Sequence, residues 1–114
     1  MNAAVRPPIK RDIGEPPMLE MVQLDLIRVD QSYQRPLKPK RVAQILRDFT
    51  WAQFGALMLV RQEDGTYTVY DGQHRFEAAR KHPEILDVPA VVIEIDQARE
   101  EAEHFLGVNI NRSA

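Results

Sequence analysis

The length, composition and charge of the chain limit the classes of protein it can belong to. It has 114 residues, 44% hydrophobic and 28% charged, with a formal net charge of −2, so we expect one small domain with a single core. The absence of cysteine excludes a disulfide framework, a thiolate metal site and a cysteine nucleophile. No segment approaches the roughly 18 consecutive apolar residues that cross a bilayer, and the N-terminus lacks the apolar core of a secretory signal. The sequence therefore predicts a cytoplasmic protein without a membrane partner.

Charge is distributed unevenly along the chain. Residues 84–103 are strongly acidic, whereas residues 31–47 contain no acid and five cations. The cations of this basic segment are Arg35, Lys38, Lys40, Arg41 and Arg47. Both segments are equally well explained as ordinary solvated faces, but a phosphate-rich partner such as DNA would select the basic one. Its candidate DNA-binding residues are Lys38, Lys40, Arg41 and Arg47.

The first half of the chain contains an arm, a strand, a loop and a helix. Residues 1–18 are rich in proline and predict a flexible arm, which leaves residues 19–114 as the domain. Apolar residues alternate with polar ones from Val22 to Leu26, which predicts one strand over residues 20–28. Turn-forming residues then indicate a loop. Pro39 suits the first turn of a helix, and apolar residues at helical spacing extend that helix to about residue 49.

The second half predicts a hairpin, a helix, a strand and a final helix. Residues 57–61 and 66–70 are apolar or β-forming and flank a Glu-Asp-Gly turn. Helix-forming residues follow over 73–81, and a β-branched run over 90–95 indicates a central strand. Asp96 is expected to cap a helix over 97–107. The fold class is therefore α+β, in which helices cover a small mixed sheet.

The junction between the predicted hairpin and the helix that follows it, Tyr70 to Ala79, carries the most chemical information. Gly72 permits a tight turn, and the first N–H groups of the following helix attract anions. His74 and Arg75 lie in that first turn, where a guanidinium matches phosphate oxygens. An alternative explanation is that Asp71 caps the helix, Gly72 turns the chain and Arg75 pairs with a surface acid.

This junction resembles the N-terminal domain of ParB-type partition proteins, whose fold is shared with sulfiredoxin. The family's Gly-Glu-Arg-Arg segment, and the Gly-Cys-His-Arg segment of sulfiredoxin, align with Gly72-Gln73-His74-Arg75. The family's Asn-Pro-x-Gln-Pro-Arg loop aligns with residues 29–35, which places Arg35 at its final position. The full string Asp-Gly-Gln-His-Arg is similar to a subgroup associated with phage and DNA-modification systems.

The resemblance implies a nucleotide-binding domain acting in partition, phage regulation or DNA modification, with CTP or ATP as ligand, with or without Mg²⁺. A Glu-Asn-x-x-Arg segment of the family aligns with residues 108–112. The implied nucleotide-binding residues are Gly72, Gln73, His74, Arg75, Arg35, Asn109 and Arg112. Val108 replaces the family's glutamate, and valine cannot bind Mg²⁺. Gln73 replaces the reactive cysteine of sulfiredoxin, which excludes sulfinic-acid reduction.

Two other functions are compatible with the sequence. Asp71 and His74 could act as an acid and base pair in a nuclease or phosphotransferase, although few carboxylates accompany them for a metal. Alternatively, the predicted helix that begins at Pro39, which lies in the basic segment, could contact DNA or an acidic protein without catalysis. The aromatic residues Phe49, Trp51 and Phe54 fit either a base-stacking patch or, more simply, a core cluster. A monomer and a weak dimer are both compatible with the sequence.

Overall fold

The computed structural model describes residues 7–30, 35–97 and 99. Five strands, three α-helices and one 3₁₀ turn lie between residues 18 and 94 of this described part. In chain order they are β1 (Met18–Gln23), the 3₁₀ turn (Leu24–Leu26), β2 (Ile27–Arg28), α1 (Pro39–Arg47), α2 (Trp51–Phe54), β3 (Leu57–Arg61), β4 (Tyr67–Asp71), α3 (Gln73–Lys81) and β5 (Asp87–Glu94). Residues 95–97 and 99 are again helical. The predicted α+β class is confirmed.

The sheet is mixed and strongly curled. Its strand order is β1-β5-β3-β4-β2, so the two consecutive strands β1 and β2 lie at opposite edges. In a flat sheet those edges would be about 19 Å apart, four spacings of about 4.8 Å. The 3₁₀ turn that joins them advances only about 2 Å per residue. The sheet must therefore curl to bring its two edges together.

The prediction of one strand over residues 20–28 is wrong. β1 pairs with β5 in antiparallel orientation, and β2 pairs with β4 in parallel orientation, so the chain changes edge at Leu24–Leu26. Leu24 and Ile27 are both buried while Leu26 is partly exposed, a spacing of three that suits a 3₁₀ turn rather than a strand. The N–H of Leu24 donates to the carbonyl of Leu86 at 2.9 Å, which anchors the turn outside the ladder.

The main core cluster is formed by side chains of the sheet, the 3₁₀ turn, α2 and α3. Alternate residues of β5 are buried, and the central strand β3 contributes the fully buried Leu57 and Leu59. Phe76 and Ala79 of α3 join this cluster. Burying a side chain of this size contributes about 1.5 to 3 kcal/mol. The start of α3 is therefore held rigidly at the carboxyl end of β4.

The other predicted elements are largely confirmed. The hairpin and α3 have the expected positions, and α1 begins at Pro39 and ends two residues before the predicted boundary. β5 begins at Asp87, earlier than predicted, and lies between β1 and β3. The short helix α2 was not predicted. Helical backbone resumes at residue 95, so Asp96 lies within the helix rather than before it. Apart from residue 99, the rest of that predicted helix lies outside the described residues.

None of the helices in the described ranges has the length and apolarity that a membrane crossing needs.

Candidate functional site

The turn from β4 into α3 requires glycine at position 72. Gly72 has a φ of 106°, a left-handed conformation that side chains disfavour. A Cβ at this position would lie 2.7 Å from Cδ2 of Leu57 and 2.9 Å from Nη2 of Arg75. The carbonyl of Gly72 accepts the N–H of Phe76 at 2.8 Å, and Gly72, the residue that precedes the helix, has no side chain with which to cap it. The first N–H groups of α3 are therefore left for other acceptors.

A cleft of about 710 Å³ opens beside this turn. The residues from Tyr70 to Arg75 form one wall, and the segment that leads into α1 forms the other. The remaining lining residues are Arg35, Pro36, Lys38 and Arg41. Among the residues that the structure describes, the cleft thus has four cationic side chains and one carboxylate, that of Asp71, whereas the whole chain has a net charge of −2. This local reversal of charge favours an anionic ligand.

His74 connects the two walls of the cleft. Its Nε2 accepts the backbone N–H of Lys38 at 3.0 Å, so the ring is neutral and carries its proton on Nδ1. Burial, followed by the charges of Arg41 and Lys38, lowers the pKa of His74 from its usual 6.5. In this arrangement the ring has no free lone pair with which to take a proton from a substrate. A catalytic role for His74 with Asp71 would require this bond to break.

Part of the hydrogen-bonding capacity of Arg75 is used within the fold. Its Nη1 donates to the carbonyls of Phe54 and Ala56 at 2.6 and 3.1 Å, which satisfies backbone acceptors where α2 ends. Its guanidinium lies 5.9 Å from the centre of the Phe54 ring, and its Nη2 is 3.9 Å from the Asp71 carboxylate. The side chain remains 28% exposed. Arg75 therefore supports the wall of the cleft and retains other donors for a ligand.

The remaining predicted residues divide between the cleft and other places. Gln73 and Arg35 line the cleft with Gly72, as the nucleotide-binding hypothesis requires. Asn109 and Arg112 lie outside the described residues.

The proposed DNA contacts Lys40 and Arg47 are exposed and are not among the residues that line the cleft. Arg47 instead pairs with Asp48 at 3.1 Å, and this guanidinium lowers the pKa of the Asp48 carboxyl.

Sequence reasoning missed that Lys38 and Arg41 belong to the same cleft as the glycine turn. The two residues are three positions apart at the start of α1 and lie on one side of a helix. That spacing was a usable signal for a shared face. The position of Lys38 and Arg41 opposite α3 could not be predicted from the sequence, because it depends on packing between segments about 35 residues apart.

A smaller cleft of about 290 Å³ adjoins the first and shares Arg41 and Arg75 with it. Phe49, Phe54 and the polar residue Gln53 are among the residues that line it. Phe54 is buried in the core, as the core interpretation predicts, whereas Trp51 is 48% exposed. The Phe49 ring lies 5.1 Å from that of Trp51. The aromatic cluster therefore serves the core on one side and a solvent-accessible surface on the other.

A larger cavity, about 900 Å³, lies on another side of α3 and shares no lining residue with this cleft. Apolar residues of the 3₁₀ turn, α3 and the loop before β5 contribute to its lining. Its charged residues are Asp25, Arg28, Glu77, Arg80 and Asp87. These nearly balanced charges do not favour an anion, so size alone does not identify the candidate site. Within the described ranges, no group of three histidine or acidic residues is placed to hold a metal ion.

Comparisons with solved structures identify the fold. The chain is similar to sulfiredoxin from Arabidopsis thaliana, with 22% identity over 74% of this chain and 96% of that one, at a TM-score of 0.54. The chain has the fold shared by sulfiredoxin and ParB. It is also similar to the truncated partition protein ParB from Caulobacter crescentus in complex with CTP-gamma-S, with 15% identity over 85% of this chain and a TM-score of 0.54.

The same ParB, in complex with the centromeric parS site, matches 69% of this chain with 16% identity and a TM-score of 0.54. This chain spans 55% and 41% of the two ParB chains, respectively. No family model matches the sequence, and no curated protein matches it. The predicted fold is thus confirmed by structure, while ligand and process require separate arguments.

Proposed function

We propose that this domain binds a nucleoside triphosphate, CTP or ATP, with its phosphates in the cleft between α1 and α3. The observation that carries the proposal is the convergence, among the described residues, of four cationic side chains on a helix start whose backbone conformation favours glycine. Arg35, Lys38 and Arg41 come from the segment before and within α1, and Arg75 comes from α3. Helix N-termini and guanidinium groups are the usual donors to phosphate oxygens.

The energetics permit useful affinity. A hydrogen bond to a charged group contributes about 1.5 to 3 kcal/mol. Three or four such bonds, reduced by the entropic cost of binding, correspond to roughly micromolar affinity. The cleft is large enough for this ligand class, because small-molecule pockets usually measure about 300 to 1,000 Å³.

The adjoining smaller cleft is the proposed place for the base. It shares Arg41 and Arg75 with the phosphate cleft, so one ligand could occupy both. Phe49 and Phe54 provide apolar surface there, and Gln53 provides an amide that can form hydrogen bonds with the polar edge of a base. Asn109 and Arg112 are proposed as further nucleotide contacts on the strength of the resemblance alone, as is an accompanying Mg²⁺.

We place this activity in a DNA-linked process such as partition, phage regulation or DNA modification. Two of the similar structures support this: the ParB complexes contain CTP-gamma-S in one case and the parS site in the other.

Direct DNA contact through the exposed Lys40 and Arg47 is an alternative, and its signature would be steep weakening of binding as salt rises. A Mg²⁺-dependent nuclease or phosphotransferase using Asp71 and His74 also remains a hypothesis, tested by loss of nucleotide or plasmid cleavage in Asp71→Ala.

Calorimetry on a matched pair of variants tests the proposed function. Arg41→Gln removes a cation that lines the cleft, whereas Lys40→Gln removes a cation from the next residue of α1 outside it. We expect the affinity for CTP or ATP to fall roughly 10- to 150-fold in Arg41→Gln and to stay nearly unchanged in Lys40→Gln. Equal weakening in both variants would indicate nonspecific charge attraction. Absence of binding by the unmodified chain would overturn the proposal.

A further inference from the structure

The hydrogen bond between Lys38 and His74 joins two separate parts of the candidate site. It links a backbone N–H immediately before α1 to a ring in the first turn of α3, 36 residues later. Lys38 is the residue that precedes the helix, and its own side chain makes no capping hydrogen bond. The position of the start of α1 relative to α3 therefore depends in part on this bond.

This bond can exist only while His74 is neutral. An imidazolium donates from both nitrogens and accepts from neither, so protonation would place two donors opposite each other. Among the described residues, the cations that line the same cleft are Arg35, Lys38, Arg41 and Arg75, and the carboxylate that lines it is Asp71. This excess of positive charge disfavours protonation in the unliganded domain. A bound anion would offset it.

We propose that an anion bound in the cleft makes His74 take up a proton and release the N–H of Lys38. The inference rests on the proposed function, because the anion is the phosphate group of that ligand. The proton comes from solvent. Once released, the Lys38 N–H and the protonated Nε2 are both donors that phosphate oxygens can accept. His74 then acts as a positioning residue, which holds the start of α1 in the empty state and frees it in the bound state.

Two consequences distinguish this role from simple contact. Binding of the anion and of the proton strengthen each other, so the affinity should rise as pH falls, by at most about tenfold per pH unit for one proton. Glutamine at position 74 can accept the Lys38 N–H through its amide oxygen but cannot titrate. His74→Gln should therefore preserve the empty structure and lose this part of the pH dependence.

The test is an NMR titration of the His74 ring nitrogens in the full chain, alone and with saturating CTP or, as a second probe, inorganic tripolyphosphate. We expect the ligand to raise the pKa of His74 by about one unit or more. Calorimetry in two buffers of different ionisation enthalpy should show more protons taken up by the unmodified chain than by His74→Gln. That difference also corrects for protons taken up by the ligand itself.

The outcomes separate the two proposals. If ligand shifts the backbone amide signals of the cleft but leaves the pKa of His74 unchanged, the inference is overturned and nucleotide binding stands. If neither CTP nor tripolyphosphate shifts these amide signals, phosphate binding in the cleft is overturned together with the inference. Should His74→Gln fail to fold, the ring titration of the unmodified chain decides alone.

Discussion

The two flanks of α3 differ in a way that bears on function. Counted over the described part of the chain, one flank carries a cleft of about 710 Å³ with four cations and one carboxylate, and the other carries a cavity of about 900 Å³ with two cations and three carboxylates. The larger space is the more apolar, yet only the smaller one combines a glycine turn with an excess of positive charge. Charge that converges from distant segments is therefore a better guide to an anion site here than volume.

The largest effect is expected for Phe76, the aromatic residue of α3 that packs into the core. Phe76→Ala should lower the free energy of unfolding by about 3 to 5 kcal/mol, because the ring is buried and its removal leaves a cavity. Urea denaturation followed by circular dichroism measures this. The folded fraction should still bind nucleotide, since the ring lines the opposite flank. A fully folded variant that cannot bind would break the proposed separation of the two flanks.

Gly72→Ala should have the next largest effect, and it acts on the cleft side. We expect a loss of about 2 to 4 kcal/mol in stability, from backbone strain together with the collision with Leu57. Gly65→Ala is the matched control, because Gly65 also has a positive φ, of 88°, but no atom lies within 4 Å of its added Cβ. That variant should lose only about 1 to 2 kcal/mol. Equal losses by thermal denaturation would show that the Leu57 contact has no energetic weight.

Exchanging one arginine on each flank compares the two sites directly. Arg41→Gln on the cleft side should weaken CTP or ATP binding by about 1.5 to 3 kcal/mol. Arg80→Gln on the cavity side should leave the affinity nearly unchanged, although it breaks the 2.7 Å pair with Glu77, whose side chain is only 13% exposed. Fluorescence or calorimetric titration provides the affinities. The reverse ranking would assign the ligand to the cavity.

The smallest effect concerns pH and the empty domain. The pKa of His74 is lower in the folded chain than its usual 6.5, so below that pH the unfolded chain binds more protons than the folded one. The stability that His74 contributes is therefore complete above pH 6.5 and is lost as pH falls through the lowered folded value. Denaturation between pH 8 and pH 5 should show this loss in the unmodified chain and a smaller one in His74→Gln. Identical profiles would remove His74 as the cause.

Much of the fold was predictable because its signals are local. Pro39 begins α1, the Glu-Asp-Gly turn joins β3 to β4, and Gly72 separates β4 from α3. The break between β1 and β2 was not predictable, since the residues from Val22 to Leu26 alternate as they would in a strand. Only pairing with distant strands shows where the chain changes edge.

The candidate site was predictable only in part, for a related reason. The glycine turn and its His-Arg pair are local and were found from the residues. The acceptors of Arg75 are carbonyls about 20 residues away, and the donor to His74 is 36 residues away. These contacts arise from packing between elements, and they change the expected roles of both side chains from free ligand contacts to groups that also hold the cleft together.

Mapping of backbone amide shifts on addition of CTP and of ATP tests the central claim most directly. We expect the largest shifts on Gln73, His74 and Arg75 and at the start of α1, with little change at Leu24 and Ile85, which line the larger cavity. Shifts concentrated around those two apolar residues, or no shift with either nucleotide at millimolar concentration, would contradict it.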